Sequence, residues 1–288
     1  MPIHSFSDFY NSNYFSDFDK YQHDWISAKN ALLQLKGHWA FRGMRDSQWH
    51  LETSIERFTA SGVFFDDAEK MLHEEFTRNL HNYLSAEKLP DCHYLEELAL
   101  MQHHGAPTRL LDWTLSPYIA AFFAMEDPTT SSQGRAIWAI DLEWCMLKGV
   151  EQIKRTSPDP QYKNTSSPKQ PISIWRNTEA FMDIFVRDRL KLIFPMEPYR
   201  INERMRIQKG LFLCPGNIRI GFMNNLFAYY DENEEKQTGP KVLKIIVSEN
   251  SRKDSLNDLN SMNINRETLF PGIDGFAQSL KLYTVLNS

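Results

Sequence analysis

Residues Gln102–Ala124, QHHGAPTRLLDWTLSPYIAAFFA, concentrate more chemistry than any other part of the chain. Three pieces follow one another. His103-His104-Gly105-Ala106-Pro107-Thr108 is a polar turn, because Gly tolerates positive φ while Pro107 fixes its own φ and biases Ala106 towards extended backbone. Arg109-Leu110-Leu111-Asp112-Trp113 is a short, mostly apolar run with the character of a buried strand. Thr114 or Ser116 then caps a helix with Pro117 at its first position, in which Tyr118, Ala121, Phe122 and Met125 recur at helical spacing. The polar groups gather where a loop, a strand end and a helix N-terminus meet. Such a junction suits anions, because free backbone N–H groups and the positive end of the helix dipole face one point. Each residue also has a structural explanation: Asp112 as a cap, Arg109 as its ion-pair partner, the His pair as a satisfied turn.

Working outward towards the N-terminus, Tyr94–Met101 is a helix with Leu95, Leu98 and Ala99 inward and Glu96-Glu97 on a solvated face. Phe65–Leu84 is strongly helical, with Ala68, Met71, Leu72, Phe76, Leu80 and Leu84 on one face. His38–Gly43 is an aromatic strand ending on Arg42-Gly43, an arginine suited to a phosphate or ribose and a glycine that admits another backbone or a ligand. Residues Met1–Tyr21 form a lead-in that becomes helical over Ser16–Leu35 and stops at Lys36-Gly37.

Beyond the central stretch, Thr129–Gly134 is a polar loop, Arg135–Leu142 the clearest strand, and Thr156–Pro171 a long exposed loop. In Pro195–Leu213, four cations (Arg200, Arg204, Arg206, Lys209) surround Gln208 and Gly210, before a strand at Leu211-Phe212-Leu213. Either these arginines pair with acids such as Glu203, or Gln208 and Gly210 form a cleft edge with Arg204 or Arg206 facing an anion. Lys241–Val247 is a further strand, and Arg266–Leu280 holds a capping turn before a last short helix. Strands scattered among helices without βαβ alternation define an α+β protein. Residues 1–37 read as lead-in and helix, and 38–288 as one α+β domain.

Composition narrows the function classes. The 288 residues are ample for a sizeable core, and 32 Lys and Arg against 37 Asp and Glu give a net charge of −5, which argues against a broad electrostatic grip on nucleic acid. No signal peptide and no apolar run of roughly 18 residues is visible, so a cytoplasmic protein without a membrane partner is expected. Three well-separated cysteines, Cys92, Cys145 and Cys214, make neither a disulfide framework nor a CxxC site. His103 and His104 are adjacent and lack an HExxH or Cys set, so no metal is expected. Neither a GxSxG elbow nor a GxxxxGK[ST] loop is present.

Three blocks in order, Phe41-Arg42-Gly43, Gln102–Ala124 and Asn202–Phe212, together with Leu269–Leu280, resemble the FRG domain family of bacterial and phage proteins. The same blocks are distantly similar to ADP-ribosyltransferases of the Arg-Ser-Glu type, which carry an Arg on a first strand, a Ser/Thr-x-Ser step into a helix, and a catalytic Glu on a later strand. That resemblance implies a mixed, mainly antiparallel central sheet with an N-terminal helical region, and NAD as cofactor. It implies Arg42 and Gly43 at a phosphate or ribose of NAD, and Thr114 and Ser116 at the nicotinamide side. His103, Thr108 and Arg109 line or support the cleft. Gln208 stands where the family places its Glu. An amide hydrogen-bonds a ribose hydroxyl but is no general base, so Asp112, Glu203 or His104 would have to supply acid–base chemistry. The implied activity is transfer of ADP-ribose to a protein or nucleic acid, or hydrolysis of NAD, in a toxin or phage-defence effector with a neutralising partner. Two alternatives stand beside it: a non-catalytic nucleotide- or RNA-binding module, and an interaction domain in which Asp112 and Arg109 form a buried ion pair.

Overall fold

A computed structural model describes residues 21–60, 67–83, 93–129, 132–162, 177–200, 202–229 and 240–287. The expected lead-in and helix start over 1–20, the helix ends at Phe65 and Leu84, Cys92, and most of the 156–171 loop lie outside them. In chain order the helices are α1 (Trp25–Gln34), α2 (Ser54–Ala60), α3 (Ala68–Leu80), α4 (Tyr94–His103), α5 (Pro117–Met125), α6 (Leu142–Thr156), α7 (Thr178–Phe181), α8 (Glu203–Ile207), α9 (Gly221–Phe227), α10 (Arg252–Ser261), α11 (Arg266–Leu269) and α12 (Ile273–Asn287). The strands are β1 (Trp39–Met44), β2 (Leu111–Thr114), β3 (Arg135–Asp141), β4 (Ile193–Met196), β5 (Gly210–Pro215) and β6 (Val242–Val247).

The six strands make one sheet in the order β4-β5-β2-β1-β3-β6, with every neighbouring pair antiparallel. The protein is thus α+β with an antiparallel sheet, as the sequence implies. Both faces are covered. Ala40, Leu111, Trp113 and Trp138 pack with Leu95, Leu98, Trp144 and Phe181 of α4, α6 and α7. On the other face Phe41, Ile137, Ala139 and Ile245 pack with Trp25, Ala120, Leu256 and Leu282 of α1, α5, α10 and α12. Burial of apolar side chains on both faces is the main stabilising term.

Pairing along β1 is unequal. It meets β3 along its whole length, from Trp39↔Asp141 to Met44↔Ala136, but meets β2 only at Phe41↔Thr114. Past that pair the β1–β2 ladder stops, and the Arg42 guanidinium donates to the Asp112 carbonyl instead. The two central strands therefore part at Arg42.

Local chemistry explains where elements begin. Ser116 caps α5, its Oγ accepting from the Ile119 N–H at 3.4 Å, with Pro117 at the first position. Of the two residues read as possible caps, Ser116 is the one used. The expected strand at Arg109–Trp113 starts only at Leu111, because the Arg109 N–H goes to the Glu69 carboxylate and the Leu110 N–H to Thr108 Oγ1. Residues 21–24 are not helical: His23 is held extended beside β6, its N–H donating to Ile246 and its carbonyl accepting from Ser248, and Asp24 caps α1. Within α3, Met71 is 54% exposed whereas Glu69 is buried, so the inward face is not wholly apolar. The terminal helix, expected to be short, runs for 15 residues. Glu96 and Glu97, expected in solvent, accept bonds from the Arg200 N–H at 3.2 Å and join the His73 ring at 2.6 Å.

Gly43 is dictated by packing. A Cβ there would sit 1.8 Å from the Ala120 carbonyl oxygen and 2.6 Å from the Ala124 N. Only glycine lets α5 lie on β1, so Gly43→Ala is expected to cost about 3 kcal/mol or more of stability, read as a lowered urea midpoint.

Candidate functional site

A cavity of about 310 Å³ opens where β1 and β2 part, walled by those strands, the start of β5, the end of α4 and α8. Arg42, Asp112, Thr114, His103, Arg204 and Gln208 line it, as do Gln102 and Asn202. Arg42 shares its face of β1 with Ala40 and Met44. Its Nη1 donates to the Asp112 carbonyl, while its Nε is buried with no hydrogen-bond partner. Burial pushes its pKa down, the Asp112 charge opposes this, and Arg57 adds to it. A buried, unmet guanidinium donor is a position that an anionic oxygen completes.

Asp112 has an exposed side chain whose Oδ2 accepts from Gln102 Nε2 at 2.9 Å. Gln102 is in turn fixed by Thr108, which donates from Oγ1 to Gln102 Oε1 at 2.6 Å. Thr108 is buried and outside the lining, so it serves the site through Gln102. Gln102 begins the central block, and its hub role carries no signal in spacing or residue type.

Thr114 Oγ1 donates to the Gln208 carbonyl at 2.6 Å and accepts from the Ser116 N–H at 3.1 Å. This ties β2 to the turn between α8 and β5. Gln208 Nε2 donates to the Leu269 carbonyl at 3.0 Å. Its amide is spent in part on holding the C-terminal segment. Arg204 lies over the Phe270 ring at 4.4 Å, and Arg266 shares that ring at 3.8 Å. Of the two arginines considered for an anion, Arg204 faces the cavity and Arg206 does not line it.

His103 reaches the cavity, its Nδ1 lying 3.4 Å from Asn202 Nδ2. Its pKa is lowered, first by burial, then by His104 and Arg204. Besides Thr108, the expected residues His104, Ser116, Arg109 and Glu203 lie outside the lining, and Gly43 lines it for a packing reason. His104 packs edge-on against His103 at 5.0 Å between ring centroids and lies outside the lining. Ser116 is occupied with the cap of α5. Gly43 borders the cavity, but its lack of a side chain is required by α5. Arg109 is 2% exposed and bound by Glu69, with its Nη1 donating to the Phe185 and Gly216 carbonyls. Its partner is Glu69 on α3, not Asp112, which removes the ion pair on which the interaction-domain alternative stood. Glu203 is exposed on the first turn of α8 and outside the lining, so Asp112 is the one carboxylate among the lining residues described.

The protein is therefore an α+β sheet protein with an arginine-bearing cleft at the break between its two central strands. Residues 37–133 match the FRG domain, a span holding β1, β2, α4 and α5 and ending before β3. The blocks at Asn202–Phe212 and Leu269–Leu280 lie beyond the match. No curated protein and no solved structure matches the chain. Among the described residues no helix is long and apolar enough to cross a membrane.

Two outcomes are expected. Glu69→Ala leaves the Arg109 guanidinium buried without a carboxylate and should cost about 3–5 kcal/mol in chemical denaturation. His103 should titrate below the ordinary value of about 6.5 in an NMR pH series, and Arg204→Ala should move it upward. Because its folded pKa lies below the unfolded one, the unfolded chain takes up the proton first, so stability falls as pH drops below about 6.5.

Proposed function

We propose that the cleft binds NAD and that the protein is an ADP-ribosyltransferase-like enzyme. One observation carries this: Arg42, Thr114 and Gln208, far apart in the sequence, all line one cavity at the parting of β1 and β2. These are the positions that the Arg-Ser-Glu resemblance assigns to a first strand, a Ser/Thr-x-Ser step into a helix, and a later strand. Arg42 offers its unpartnered Nε to a phosphate or ribose oxygen. Thr114, held by the Gln208 carbonyl, sets the nicotinamide side.

The reaction breaks the bond between nicotinamide and the ribose C1, with the bonding electrons leaving on nicotinamide. A nucleophile on a protein or nucleic acid, or water, then bonds to C1 and gives up a proton. Asp112, fixed by Gln102, is the carboxylate placed to take that proton and to face the positive charge developing on the ribose. Gln208 contributes hydrogen bonding, not acid–base chemistry. A cytoplasmic toxin or phage-defence effector with a neutralising partner is the setting in which such an activity fits.

A second reading, nucleotide binding without turnover, draws on one observation. The residue at the family's Glu position is an amide whose Nε2 already serves Leu269. Nicotinamide release from NAD separates the two. Wild-type protein, with and without cell extract as acceptor, is expected to release nicotinamide; Asp112→Asn should abolish release while keeping binding, and Arg42→Ala should weaken binding about tenfold or more. A thermal shift with NAD but no release from folded wild type would select the binding module.

A further inference from the structure

A second cavity, of about 640 Å³, adjoins the first across Arg42, Gly43 and Phe123. Its outer wall comes from the segment after β1, with Arg45, Trp49 and Glu52, and from Arg57 of α2. The first cavity lies near the lower end of the roughly 300–1,000 Å³ typical of ligand sites. It has room for one half of a dinucleotide, and the adjoining space continues where the other half would leave it.

The seam between the two cavities is cationic and incompletely satisfied. Arg42 sits in the shared wall with a buried Nε that has no partner. Arg57, exposed on α2, is near enough for its charge to oppose that of Arg42, and its Nη1 donates only to the Glu52 carbonyl, at 2.7 Å. Among the described residues neither side chain is bonded to a carboxylate. Two like charges at one seam, with a buried donor unmet, are brought to balance by a polyanion lying across them, and arginine's forked donors match phosphate oxygens.

Beyond the seam stands a flat surface. Trp49 is 44% exposed, and the Arg45 guanidinium lies over its ring at 4.8 Å from the centroid. An exposed tryptophan beside a stacked arginine offers planar contact to a nucleobase, which binds such platforms through its π-face. Glu52, in the same cavity, can accept from ribose hydroxyls and disfavours a further phosphate there.

We propose that the second cavity holds the distal nucleoside of the dinucleotide whose reactive half occupies the first, with the diphosphate across Arg42 and Arg57 and the base on Trp49 and Arg45. This rests on the assignment of the first cavity to NAD. Isothermal titration of the full chain with NAD, ADP-ribose and nicotinamide mononucleotide tests it. Trp49→Ala is expected to weaken NAD and ADP-ribose about tenfold, since loss of an aromatic stack typically costs that much, and to leave nicotinamide mononucleotide unchanged. Trp49→Phe, which keeps an aromatic face, should retain most of the affinity. Unchanged NAD and ADP-ribose affinity in Trp49→Ala, or equal weakening of all three ligands, overturns the second cavity and leaves the first standing. Failure of folded wild-type protein to bind any of the three overturns both.

Discussion

The backbone of α5 lies against β1 so closely at Gly43 that no side chain fits between them, and the rest of the molecule is arranged around that contact. It explains the small residues Ala120, Ala121 and Ala124 on α5, all fully buried. Two further arginines fasten the far end of the helix. Arg135 donates from Nη1 to the carbonyls of Ala124 and Asp127, and Arg252 donates to those of Met125 and Glu126 at 2.8 and 2.7 Å. Cations at a helix C-terminus satisfy its open carbonyls and complement its dipole. With Ser116 at one end and these arginines at the other, α5 cannot slide. β2, which feeds it directly, is fixed as well, and the position where β2 leaves β1 follows.

Two sets of arginines in this protein differ in how their charge is met. Arg109 and Arg135 are buried and each is matched by a carboxylate, Glu69 or Glu249, with carbonyls taking further donors. Their desolvation is offset by these partners, and neither lines the two cavities. Among the described residues Arg42, Arg57 and Arg204 have no carboxylate bonded to them, and carbonyls and the Phe270 ring are contacts they make. All three border the two joined cavities. Three cationic side chains thus converge on the joined cavities, despite a net charge of −5 over the chain.

How much of this the sequence disclosed depends on whether a residue's role was local. Pro117 after Ser116 announces the start of α5, the apolar runs announce β3 and β6, and the Arg42-Gly43 strand end and the Gln208 turn were both visible as polar groups beside breakers. Long-range pairing was not legible. Nothing near Arg109 indicates that its partner lies on α3, 40 positions earlier, because Glu69 looks like any charge on an amphipathic helix. Gly43 reads as a point where another backbone or a ligand comes close, and the fold supplies the backbone, that of Ala120 and Ala124 on α5. Strand β4 was missed because Ile193–Met196 is short and its pairing partner, β5, comes later in the chain. Arg45, Trp49 and Arg57 are ordinary surface residues until the fold sets them around one space.

The third wall of the cleft is built differently from the other two. β1 and β2 are held by the sheet and α5, whereas α8 has five residues, none of them buried, and depends on side-chain ties. Asn202 caps it by accepting from the Met205 N–H, Thr114 holds the Gln208 carbonyl, and Gln208 reaches across to Leu269. Arg204 and Arg266 then share Phe270, Arg266 Nη1 donates to both Glu126 carboxylate oxygens at 2.8 and 2.9 Å, and Glu126 closes α5. The chain of contacts runs from the cleft through the C-terminal segment back to the helix that positions β2. An anion that drew Arg204 from Phe270 would loosen one link of this loop while Gln208 kept the other. Two walls of the cleft are thus set by the sheet and α5, and the third by cation–π and side-chain hydrogen-bond contacts.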